Sequence, residues 1–203
     1  MSQFEHSAKH HQMRQRLAHL AARLIAEDGL LDFAAAKRKA ARQLGAPDTQ
    51  NLPTNSEVER ELRAYQALYQ KDEQAERLQI LRTEALETMR QLHDFNPHLT
   101  GSVLNGTASR HSNINLHLFA DSLKDVELFL LNRKIPYETV EKRFRFGEEN
   151  RPVPTLILEG NHAAIELAVF SVDDLRQAPR SSVSGKSMER ARPQQVESLL
   201  VTA

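Results

Sequence analysis

Gly101-Ser102-Val103-Leu104-Asn105-Gly106, followed by Ser112-Asn113-Ile114-Asn115-Leu116-His117-Leu118, is the stretch on which the reading of this chain turns. The first part has the glycines of a tight turn. Exposed N–H groups in such a turn form an anion nest, and glycine lets a ligand come close. The second part alternates polar and apolar residues, the pattern of a half-buried strand. Strand alternation puts Asn113, Asn115 and His117 on one face and Ile114, Leu116 and Leu118 on the other. Asparagine is disfavoured in strands, so two at alternate positions need a reason.

A second strand-like segment lies downstream. Ala164-Ile165-Glu166-Leu167-Ala168 carries a lone acid in an apolar run, flanked on its own face by alanines. Glu166 is either a site carboxylate or a strand acid paired with a nearby arginine, Arg143 or Arg145.

This combination resembles the active-site signature of the nucleotidyltransferase superfamily related to DNA polymerase beta. That family writes G-S, a later glycine, then S-D-x-D on a strand, with a third carboxylate on a neighbouring strand. Gly101 and Ser102 match the G-S, Gly106 the later glycine, and Ser112 the serine before the aspartates. Asn113 and Asn115 fall on the two aspartate positions, and Glu166 is the candidate third carboxylate. The resemblance covers roughly residues 99 to 170. It implies that Gly101, Ser102, Gly106 and Ser112 hold the phosphates of a nucleoside triphosphate. It also implies that Asn113, Asn115 and Glu166 stand where two magnesium ions would be bound.

The departure from the pattern is chemical. Magnesium prefers anionic oxygen. Asparagine offers a neutral carbonyl, so two of the three negative charges are missing and Glu166 alone remains as a metal carboxylate. His117 does not repair this, because imidazole is a poor magnesium ligand. Magnesium is therefore expected as a cofactor only if transfer activity is retained. Three explanations stand: a degenerate member that binds nucleotide or a partner without catalysis, a site that works with other ligands, or asparagines introduced to trap a substrate.

Composition sets the outer limits. The chain has 203 residues with 27 basic and 27 acidic side chains, and the charges balance in each half as well. The total therefore gives no general affinity for nucleic acid. Without cysteine, disulfides, thiolate metal sites and cysteine nucleophiles are excluded. No apolar run reaches the length of a membrane span. The polar start of the chain does not read as a secretory signal, and no P-loop motif is present. The expected location is cytoplasmic.

Helical periodicity covers the first part of the chain. A helix through Leu17, Leu24 and Ile25 stops at Gly29, and a second starts at the N-cap Asp32 and ends before Gly45. Its Lys37, Arg38, Lys39 and Arg42 read either as a solvated face or as contacts to phosphate or RNA. A long apolar-striped helix starts at Thr54 or Asn55 and runs toward Pro97, with a phase shift near Gln70 where a break or bend fits. Strand-like segments follow at residues 98–100, 113–120, 137–146, 154–159 and 163–170, with a helix near residues 122–132. After Asp174 the chain reads as a surface-hugging tail ending in a short helix.

The expected architecture is α+β: a helical N-terminal region with a long helix packed on a small mixed nucleotidyltransferase-like sheet. The expected divisions are a helical region at 1–95, a nucleotidyltransferase-like domain at 96–175, and a tail at 176–203. The expected function is a protein of this fold with impaired or absent metal-dependent transfer that keeps nucleotide binding, in effect a pseudoenzyme. The alternative is a regulatory module that binds a protein or RNA partner through its helical half. The stripe on the long helix also suits a homodimer, and no membrane partner is expected.

Overall fold

The computed structural model describes residues 3–30, 32–47 and 49–201, with side chains from His10 onward. The chain is α+β and divides into two compact units. The first runs to Gln74, with residues 109–111 and 182–184. The second holds residues 75–108, 112–181 and 185–203.

The first unit is built on α1 (Gln3–Asp28), α2 (Phe33–Gln43) and α3 (Asn55–Tyr69). Asp32 caps α2 by accepting from the amides of Ala34 and Ala35. Thr54 and Glu57 form a reciprocal capping box at the start of α3, which satisfies two amides that would otherwise lack partners. Leu17, Ala21, Ala22 and Ile25 of α1 pack with Ala36 and Ala40 of α2 and with Val58 and Leu62 of α3. The alanines leave little side chain between the helices, so they approach closely. Arg14 grips Glu57 with two bonds, Nε to Oε1 at 2.8 Å and Nη2 to Oε2 at 2.6 Å.

The helix expected from Asn55 onward breaks at Gln70, where the phase shift placed a break or bend, and so forms two helices. Gln70 caps α3, and α4 (Lys71–Gln91) restarts one residue later. The division into units at Gln74 has a packing cause. Leu81, Ala85, Leu86 and Met89 of α4 belong to the core under the sheet, together with Leu116, Leu118 and Leu167. The α4 part of the apolar stripe is thus consumed internally. Leu68 and Tyr69, at the end of α3, stay 76% and 70% exposed.

The second unit contains a five-stranded sheet in the order β1-β2-β5-β4-β3. The strands are β1 (His98–Thr100), β2 (Ile114–Phe119), β3 (Glu138–Phe146), β4 (Glu149–Leu158) and β5 (Ile165–Phe170). Short α5 (Gly101–Asn105) joins β1 to β2, and α6 (Leu123–Asn132) follows β2. Strands β2 and β5 are parallel, and the other neighbours are antiparallel. β4 begins at Glu149, earlier than residue 154, and passes through Pro152 and Pro154. This is tolerated because β5 pairs only with Thr155–Leu158. The prolines lie where β4 has β3 as its neighbour, an edge-like position.

α4 also fixes the loops at the ends of the strands. Arg82 donates to the carbonyls of Val103 and Leu104 in α5, at 3.1 and 3.3 Å. The buried Glu84 accepts from the amides of Asn161 and His162, and Arg77 donates to the His162 carbonyl at 2.9 Å. These hold the turn that feeds β5.

The segment after β5 is more than surface cover. Leu99 and Ala191 exchange backbone hydrogen bonds of 2.8 and 2.9 Å, and the Arg180 amide bonds the Arg145 carbonyl. The sheet is edged by β1 and β3, so the tail reaches both edges and occupies groups that would otherwise template aggregation. Val196 of α7 (Pro193–Val201) is fully buried in the main core. Among the described residues no helix is long and apolar enough to cross a membrane.

Arg14 and the capping box hold the Glu57 carboxyl at a pKa of about 2, below its ordinary 4.5. A depressed carboxylate contributes stability above its unfolded pKa and loses it as pH falls through the folded value. Glu57→Gln is expected to destabilise the helical unit by about 1 kcal/mol at pH 7. The gap should narrow from about pH 4.5 toward pH 2. Urea unfolding of both proteins across that range checks this, and a gap independent of pH would contradict it.

Candidate functional site

Gly101 and Ser102 open α5 directly after β1. Gly101 has φ +74°, a conformation that L side chains rarely adopt. It also abuts the strand, since a Cβ placed there would lie 3.3 Å from the Asn115 side-chain nitrogen. A side chain at 101 would therefore meet both backbone strain and a neighbour. Gly106, with φ +79°, caps α5 in the left-handed conformation, and its amide and that of Thr107 both bond the Ser102 carbonyl. Gly106 thus shapes the turn from its far end. Ser102 is half-buried, and Ser112 is buried just before β2.

The parallel pairing of β2 and β5 sets Asn115 directly opposite Glu166. The Asn113 amide nitrogen donates to Glu166 Oε1 at 3.0 Å, and the Asn115 amide nitrogen donates to the Asn113 carbonyl at 3.3 Å. Thr100 donates to the Asn115 carbonyl at 3.3 Å. Gly101, Asn113, Asn115 and Glu166 thus form one contiguous patch on one face of the sheet. The Glu166 side chain is only 12% exposed.

The cation on Glu166 is Lys142 of β3, whose ammonium pairs with Oε2. It is neither Arg143 nor Arg145. Arg145 turns instead to the Gly147 carbonyl and Glu148. The reason is parity: Lys142, Phe144 and Phe146 share one face of β3, and the arginines lie on the other. Extending the alternation one step back from Phe144 would have found Lys142 in the sequence.

Further along the same face the surface closes. His117 is 2% exposed and packs against Phe144 and Phe170. Phe119, Phe146, Val153, Ala168 and Phe170 make a small separate core. Arg190 of the tail lies over Phe119 and Phe170, and its Nε donates to His117 Nδ1 at 3.1 Å. One terminal guanidinium nitrogen bonds the Asp174 carbonyl at 3.0 Å, and the other is buried without a hydrogen-bond partner. Burial, with Arg190 and His98 nearby, pushes His117 down to about 3. Burial also pushes Arg190 down to about 10, against the pull of Asp174. His117 is therefore a neutral packing residue. Arg190 could not be anticipated, since nothing in the local sequence marks a contact spanning 73 positions.

These donors do not suit magnesium. A hard cation asks for several anionic oxygens, and here one carboxylate is present, already satisfied by Lys142 and Asn113. Among the described residues no group of three or more His, Cys, Asp or Glu is placed to hold a metal. The arrangement instead holds two side-chain amides, the Ser102 hydroxyl close by in sequence on α5, and one ammonium, all groups able to donate hydrogen bonds. No protein-family model, curated protein or solved structure matches the chain.

The His117 shift has a readable consequence. Its folded pKa lies below the unfolded value of 6.5, so between about 6.5 and 3 the unfolded chain binds a proton that the folded one refuses. Stability is full above this window and falls as pH drops through it. His117→Asn keeps an acceptor for Arg190 but does not titrate. In urea unfolding from pH 7 to 4.5, the variant should lose less stability than the parent, by up to about 1.4 kcal/mol per pH unit. Parallel curves would show that His117 does not resist protonation.

Proposed function

We propose that this chain is a nucleotidyltransferase-like protein that binds a nucleotide at the Gly101–Ser102 turn and does not carry out two-metal nucleotidyl transfer. The observation that carries the reading is the clustering of Asn113, Asn115 and Glu166 along the parallel pair β2–β5, with Gly101 against Asn115 and an ammonium at the acid. Binding and catalysis separate naturally at such a place. A turn of N–H groups and a serine hydroxyl can hold phosphate oxygens without help. Activating the attacking hydroxyl and stabilising a pyrophosphate leaving group through two metals needs anionic ligands to hold them. The polar patch carries groups suited to the first and a single, already paired carboxylate for the second.

A second reading, an interaction module working through the helical unit, rests on Leu68 and Tyr69, both exposed at the end of α3. The basic stretch of α2 gives it less support as an RNA contact. Lys37 bonds the Pro53 carbonyl and Asn55, and Lys39 pairs with Asp28.

Calorimetric titration with ATP, CTP, GTP and UTP tests the first reading. At least one should bind at millimolar concentration or tighter, and Ser102→Ala should weaken it about fivefold, the worth of one ordinary hydrogen bond. No pyrophosphate should be released with magnesium or manganese. Absence of binding by all four nucleotides would overturn nucleotide recognition and leave the interaction module standing.

A further inference from the structure

The neutralised carboxylate carries the argument one step past nucleotide binding, and this step rests on that reading. The Asn113–Asn115–Glu166 patch contains a single formal negative charge, on Glu166, and a single positive charge in contact with it, on Lys142. Its net charge is therefore zero without any bound ion. The two partners differ in access: the Glu166 side chain is 12% exposed and that of Lys142 is 40% exposed. An ammonium has three N–H donors, and the pair with Glu166 uses one.

We infer that Lys142 is the resident cation of this site, so that a nucleoside triphosphate binds here without a divalent metal and places a phosphate against the Lys142 ammonium. Several features converge on this. Asn113 donates to one oxygen of Glu166 and Lys142 to the other, so both carboxylate oxygens already hold donors. A metal would have to displace the ammonium or sit beside it, at an acid whose charge is already compensated. An incoming phosphate meets Glu166 only as half of an ion pair, and it can take the donors that Lys142 still presents. The asparagines then have a positive role. Aspartates at 113 and 115 would restore net negative charge, repel the phosphate, and require metal ions to offset it. Lys142 belongs to the same sheet face by strand parity, so its position is built into the fold.

The test titrates the full chain with the four triphosphates used above, in EDTA and in excess magnesium. The affinity is expected to agree within about twofold between the two conditions. Lys142→Met, which keeps the aliphatic stem, should weaken binding about tenfold or more, the worth of a charged hydrogen bond. Lys142→Arg should recover part of that loss. Binding that requires magnesium overturns the resident-cation assignment and leaves nucleotide recognition intact. Unchanged affinity in Lys142→Met overturns it as well, and absence of binding in every condition overturns both readings. A second measurement needs no nucleotide. Manganese binding, followed by the loss of its free-ion paramagnetic signal, should be stronger in the Asn113→Asp/Asn115→Asp/Lys142→Met variant than in Asn113→Asp/Asn115→Asp. Equal binding by the two would show that Lys142 does not occupy the metal's place.

Discussion

The parallel register of β2 on β5, with Asn115 opposite Glu166, is the constraint from which the second unit follows. Those two strands sit inside the five-stranded sheet, so their side chains have no freedom to choose faces. Ile114, Leu116 and Leu118 meet Ile165, Leu167 and Val169 in the main core. The opposite parity is thereby committed to Asn113, Asn115 and His117 beside Glu166, Ala168 and Phe170. A one-residue slip in either strand would send apolar residues to the polar face and asparagines into the core. The energy of the large core thus fixes the geometry of the small polar patch, although the patch contributes little to that core.

The committed face is not uniform along its length. At one end it holds amides, an acid and an ammonium; at the other it holds phenylalanines, a neutral histidine and a tail arginine. The aromatic end behaves as structure. His117 is held neutral, and Arg190 is stacked on rings with one buried nitrogen unsatisfied. An unsatisfied buried donor costs roughly 1–3 kcal/mol. The stacked ring contacts and the backbone bonds between Leu99 and Ala191 offset it. The polar end has no comparable cover. Its groups keep partial exposure and are bonded to one another, which is how polar side chains persist on a sheet without being buried in a core.

How much of this was legible in the sequence depended on the range of the interactions concerned. Asp32 and Thr54 marked helix starts because a cap works within three residues of itself. The alternation of residues 113–118 and 164–168 placed Asn115 and Glu166 on their strands, with Asn113 immediately before β2, because strand parity is local. The partner of Glu166 needed parity to be carried across two more strands, and the nearer-looking Arg143 and Arg145 lie on the wrong face. Helical periodicity shows that α3 and α4 each have an apolar side, but not that one side meets α1 and the other meets a sheet. The tail looked like surface because its composition is polar. Its burial comes from backbone pairing at Leu99 and from Arg190, neither of which leaves a periodic trace.

The division of labour along α4 explains how the polar patch keeps its shape. Arg82 holds the carbonyl end of α5, and Glu84 with Arg77 holds the turn that feeds β5. The Gly101–Ser102 turn and the acid at 166 are therefore tied to one rigid helix as well as to each other through the sheet. Gly160 sits so close that a Cβ there would lie 2.6 Å from Glu84 Oε1, which leaves that turn no room to relax. In a metal-dependent site the ions themselves draw loops and carboxylates together. Here that ordering comes from charged hydrogen bonds on the far side of the loops. This is why Asn113, Asn115 and Glu166 can stand in register on a patch that carries no net charge.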